Sequence, residues 1–248
     1  MEDKLHENGW RAGLWQVILD FKEVWTVVIF FTADMISGSP SLNPWLVTHL
    51  GLTRANPIGI VSAILVYDGW GNVVVLFVLS VAYVLACLNL NRADRRRVSR
   101  FFAILVISAA VLGNLVWYIL GLFPALPVHG TSGVTMASIG ATFVPASMAL
   151  LVFMRGVFRL KKATQEDRRK WVGQNFVAAF SSFMLSFYGL TVVYFTASSF
   201  TGNGVIHFVS FSVAMIISWV YYDKYIHLST NMPIPLKGRE MAGPMEHM

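Results

Sequence analysis

The sequence predicts an all-α fold, a polytopic membrane protein whose six transmembrane helices form a single bundle. Composition, spacing and charge predict it together. Apolar residues make up 56% of the 248 and charged residues only 13%, with a mean hydropathy of +0.60. Those values lie outside the range of ordinary soluble domains. Six apolar stretches recur along the chain, and of its nineteen Lys and Arg all but Arg54 fall on one side of a six-span arrangement. Backbone in lipid must close its own hydrogen bonds, so each span is helical and needs about 20 residues to cross.

The spans read as Val24–Ile36, Asn72–Leu90, Phe101–Leu120, Ser132–Met154, Gln174–Ala197 and Gly204–Tyr222. The first is short, with Asp20, Lys22 and Glu23 close before it. Trp10, Leu14, Val17, Ile18, Phe21 and Trp25 precede or open it at helical spacing, which predicts an amphipathic helix lying at the interface and then turning inward. The segment Ser37–Gly71 holds Pro40, Pro44 and Pro57 between apolar runs, and is expected half-submerged in the outer interface. Arg92, Arg95, Arg96, Arg97 and Arg100 lie between spans two and three. Seven more basic residues, from Arg155 to Lys170, lie between spans four and five. The positive-inside rule then puts both termini in the cytoplasm. The chain divides into an interfacial segment at 1–23, a membrane domain at 24–222 and a cytoplasmic tail at 223–248, whose prolines and lack of periodicity predict disorder.

These features exclude several function classes. The net charge of +6 follows from topology and does not call for nucleic acid. A lone cysteine, Cys87, leaves no intramolecular disulfide and no Cys-rich metal site. No His/Glu pair has zincin spacing and no phosphate-binding loop is present, so neither metal nor cofactor is expected. Met1–Asn8 is polar, unlike a signal peptide. A small transporter would want midplane polar groups or repeated halves, and neither is found.

Three polar residues share one depth. Ser132 opens span four, His207 lies three residues into span six and Asn72 opens span two, all running inward from the outer face. Cleaving a peptide bond requires a hydroxyl, a base for its proton and donors for the developing oxyanion. Ser132 supplies the first and His207 the second; the Ser132 N–H and the Asn72 amide supply the third. Gly130 and Gly133 flank the serine and allow close backbone approach. Alternatives stand beside each reading. Gly-x-Ser-Gly also serves plain helix packing, Asn72 also suits an N-cap, and His129 is a rival base on a loop.

In order, helix and depth, these residues resemble the rhomboid intramembrane serine proteases. That family has a Gly-x-Ser-Gly motif opening its fourth helix, as Gly130–Gly133 does here, and a histidine in its sixth, as His207 is here. The resemblance covers Val24 to Tyr222. It implies a Ser132–His207 dyad, no cofactor, and transmembrane-helix substrates cut near the outer membrane face; the lack of a targeting peptide is what predicts the plasma membrane. It also implies that span five gates entry from the lipid, where Gly189, Ser181, Ser182 and Ser186 would soften its packing. The chain departs from the family in three places. Asn72 and Leu76 stand where the family has His-x-x-x-Asn, Phe211 follows the histidine where small residues are usual, and a Trp-x-Arg signature is missing. The departures keep open an inactive relative that binds transmembrane helices as an escort.

Overall fold

Asn91 and Thr164 decide where two of the longest helices start. The Asn91 side chain accepts from the Asp94 N–H at 3.0 Å, and its amide donates to the Asp94 carboxylate at 2.6 Å. The Thr164 hydroxyl likewise accepts from the Asp167 N–H at 3.2 Å and donates to that carboxylate at 2.6 Å. Each pair satisfies a donor that the first helical turn would otherwise leave open. The helices therefore begin well before the apolar residues do.

The computed structural model describes residues 13–37, 49–65, 70–88, 90–121, 132–160, 164–198 and 204–221. They are predominantly helical, with no strand among them. The main elements are α1 (Lys22–Ser37), α2 (Trp70–Ala86), α3 (Arg92–Ile119), α4 (Ser132–Arg159), α5 (Gln165–Ser198) and α6 (Gly204–Val220). Three of them, α3, α4 and α5, are long and apolar enough to cross a membrane, which marks the chain as a membrane protein. The other apolar helices, from Gly71 to Ala86 and from Gly204 to Val220, are shorter. Large apolar side chains face outward, among them Ile104 on α3, Phe180 and Phe187 on α5 and Trp219 on α6. Such an exterior belongs in hydrocarbon, not in water.

Two expectations change. The arginines from Arg92 to Arg100 are the first turns of α3, and Arg168 to Lys170 belong to α5; neither group is a loop. The stretch before α1 does not turn away from it. Helix at 13–20 runs into α1 through Phe21, whose N–H donates to the Val17 carbonyl at 3.2 Å while its own carbonyl accepts from Trp25 at 3.1 Å. The tail at 223–248, Gly130 and His129 lie outside the described residues.

α4 is the centre of the bundle and packs on α2, α3, α5 and α6. Its contact with α5 is tight, contrary to the softened packing expected there. The Ser147 hydroxyl donates to Ser186 at 3.1 Å, and Gly189 leaves room for the Phe143 ring, which a Cβ would strike. The small residues of α5 hold it against α4.

Charge ties α1 to α3 at the basic end. The Asp20 side chain is fully buried, 72 to 76 positions from its partners. Its Oδ1 accepts from Gln16 at 3.0 Å, Arg92 Nε at 3.2 Å and Arg96 Nε at 3.3 Å, while Arg95 stands 3.2 Å from Oδ2. One turn on, Glu23 accepts from the Ser99 hydroxyl at 2.8 Å and from Arg100 Nε at 3.3 Å.

The opposite end is closed by 49–65. Asn56 Nδ2 donates to the His49 and Gly51 carbonyls at 2.7 and 3.0 Å, and the Ser62 hydroxyl donates to the Leu50 carbonyl at 2.8 Å. The segment thus satisfies its own polar groups while Ile58 and Val61 stay exposed, in keeping with an interfacial position. Asn114 of α3 pins it, donating to the Ile60 carbonyl at 3.1 Å. Beneath it Leu52, Ala63, Trp117, Val205 and Ile206 form a separate apolar cluster.

Candidate active site

Gly133 is the point where α4 meets α6 and α3. A Cβ there would stand 3.5 Å from Ile206 Cγ2, 3.6 Å from Ser210 Oγ and 3.8 Å from Ala110 Cβ. Contacts further along keep the same order on both helices. Gly140 abuts the Phe211 carbonyl, and the Ser218 hydroxyl donates to the Ala141 carbonyl at 2.9 Å. α4 and α6 therefore run side by side in the same direction.

This register brings the expected pair to one level. Ser132 precedes Gly133 and His207 follows Ile206, so each is one residue from the Gly133–Ile206 contact. On α6, His207, Phe211, Ala214 and Ser218 recur at three- and four-residue spacing and share a face. The last three of these meet α4: the Phe211 and Phe143 rings are 6.4 Å apart, and a Cβ on Gly140 would lie 3.1 Å from Ala214 Cβ. His207 heads that face. Ser132 and His207 are both half-buried.

Asn72 lies at the same end. Its backbone carbonyl accepts from the Thr135 hydroxyl at 3.3 Å, and Thr135 is three residues beyond Ser132 on α4. Asn72 is the third residue of α2, which begins at Trp70, so the N-cap reading does not hold. Its side chain is half-buried. Leu76, one turn deeper, is fully buried and has no donor to offer.

Local electrostatics favour negative charge at Ser132. It opens a 28-residue helix whose first turn contains no acidic residue. The free N–H groups of that turn and the helix dipole point toward any anion formed there. Among the described residues, no three His, Cys, Asp or Glu side chains are grouped to hold a metal ion.

An apolar groove of about 180 Å³ separates α2 from α5. Val74, Val75, Val78 and Leu79 form one wall, Met184, Leu185 and Tyr188 the other. Val74, Val78 and Met184 are about half exposed, so the groove opens sideways from the bundle. It begins two residues from Asn72.

Gly113, Thr135 and Gly140 also shape this end, and the sequence reading assigned them no part in the site. A Cβ on Gly113 would collide with the Ser210 hydroxyl. Gly133, Ala137, Gly140 and Ala141 repeat at helical spacing, a small-residue stripe that could have identified the α4 face against α6. No protein-family model, curated protein or solved structure matches this chain.

Proposed function

We propose that this chain is an intramembrane serine protease of the rhomboid type. It crosses the plasma membrane six times with both termini and the basic end in the cytoplasm. What supports the reading is that Ser132 and His207 each stand one residue from Gly133 and Ile206, which are neighbours across two helices running in the same direction.

In this reading neutral His207 takes the Ser132 proton as Oγ attacks the substrate carbonyl. The tetrahedral oxyanion is met by the Ser132 N–H and the Asn72 amide. Imidazolium then returns its proton to the leaving amine, and the acyl group remains on Oγ as an ester. Water, deprotonated by His207, attacks that ester and releases the carboxyl product and free Ser132. The substrate is a single transmembrane helix entering from lipid through the groove between α2 and α5. Ser132→Ala is expected to bring cleavage of a reconstituted reporter helix to background while the helix content stays unchanged. Cleavage at the wild-type rate in that variant would overturn the reading.

Leu76 favours one second reading. Where the resemblance calls for a second oxyanion donor, the chain places a fully buried apolar side chain. The protein would then hold transmembrane helices in the same groove without cutting them. Capture of a reporter helix by crosslinking through Met184→Cys, with no product at any enzyme concentration, would mark this outcome.

A further inference from the structure

We propose that Arg92, Arg95 and Arg96, gathered on the Asp20 carboxylate, form a binding site for the phosphodiester headgroup of an anionic phospholipid. The inference rests on the membrane reading but not on proteolysis.

The cluster is charge-unbalanced. A single buried carboxylate stands within 3.2 to 3.3 Å of three guanidinium groups, leaving two positive charges uncompensated within it. The nearest further acid on α3, Asp94, is already bonded to Asn91 and lies 3.7 Å from Arg97. Glu23 is taken by Ser99 and Arg100. A guanidinium carries five N–H donors in a planar fork suited to phosphate. Arg92 and Arg96 each spend Nε on Asp20 and remain 56% and 48% exposed. Their remaining donors are free to meet an oxyanion. Arg95 is only 17% exposed, and its Nε is buried with no acceptor among the described residues. That donor is buried, so Arg92 and Arg96, not Arg95, present the reachable donors.

The surroundings select a lipid over a soluble phosphate. Asp20 faces the bundle from a helix whose other side exposes Leu14, Trp15 and Leu19. An exposed tryptophan and two leucines around a charged cluster suit the boundary between headgroups and acyl chains. Further along α3, Ile104 is 68% exposed, offering an apolar wall beyond the arginines. A phosphate seated on Arg92 and Arg96 would therefore have hydrocarbon-compatible surface beside it for its acyl chains. Asp20 preorganises the site: it spaces three like charges that would otherwise repel, and fixes two of them through Nε.

The test uses the full-length chain carrying Ser132→Ala, so that lipid binding is read without cleavage. The protein is exchanged into mixed micelles of equal phosphatidylcholine and phosphatidylglycerol, and retained lipid is counted by native mass spectrometry. Retention of phosphatidylglycerol is expected to exceed phosphatidylcholine several-fold. It should persist in 10 mM inorganic phosphate and fall to parity in Arg92→Gln/Arg96→Gln. Arg168→Gln/Arg169→Gln should leave it unchanged. No preference in the starting protein would overturn the proposal, as would equal loss in the Arg168/Arg169 control or displacement by free phosphate.

Discussion

The two ends of the bundle are held by opposite physics. At the basic end, the helix leading into α1 is tied to α3 by long charged side chains that reach the buried Asp20 carboxylate. At the Ser132 end, α3, α4 and α6 meet because side chains are absent: Gly113, Gly133 and Gly140 let backbone and hydroxyl groups come within contact distance. Ion pairs tolerate shifts of a few tenths of an ångström. A backbone seated against Gly140 does not, since a carbon added there meets the Phe211 carbonyl, which cannot rotate away. The end that holds the proposed dyad is the one where α4 and α6 meet through backbone.

Breaking the steric lock has the largest expected effect. Gly140→Val places its Cβ in the Phe211 carbonyl, so α6 must move. Overpacking of this kind costs about 1–3 kcal/mol and more where backbone must yield. A fall in melting temperature with loss of cleavage is expected, while the charged end stays intact. An active variant with an unchanged melting point would show that the contact is not rigid.

Removing the buried acid ranks next. Asp20→Asn leaves three arginines without their shared anion. Breaking a fully buried pair costs about 3–5 kcal/mol, and the half-exposed Arg92 and Arg96 bring the expectation below that range. The loss should shrink at high salt. Cleavage should survive at temperatures where the variant is folded, because Ser132 lies at the other end of the bundle. Loss of cleavage in the folded variant would couple the two ends and collapse the contrast between them.

The smallest effect is in acid. Burial raises the Glu23 carboxyl, but the Ser99 hydroxyl and then Arg100 outweigh it and hold the group below its ordinary 4.5. A lowered folded value means that Glu23 contributes stability above the unfolded value and loses it as pH falls through the lowered one. Melting temperature should be level near neutrality and decline below about pH 4.5, and Glu23→Gln should flatten part of that decline. An identical acid profile in the variant would remove Glu23 from the account.

Each region was legible in the sequence to a different degree. The all-helical character and the order of the apolar helices followed from hydropathy, because it reports which stretches suit hydrocarbon. Helix starts did not, because hydropathy measures hydrocarbon contact and not backbone bonding. The signals were there in Asn91-x-x-Asp94 and Thr164-x-x-Asp167, which cap α3 and α5 within charged stretches. The Asp20 cluster carries no local signature, since its partners are more than seventy residues away. At the Ser132 end, Gly133 was expected to let span four pack against span six, and α4 does pack on α6; the continuation of that face through Ala137 and Gly140 was not read. Register between distant helices depends on the whole bundle and is not written at either residue.

The most direct measurement is active-site labelling. Purified protein in detergent is treated with a fluorophosphonate and the adduct located by peptide mass spectrometry. The account predicts one modified residue, Ser132, with labelling lost in His207→Ala and in Gly140→Val. Labelling of Ser132 at the same rate without His207, or its absence in the folded starting protein, would contradict it.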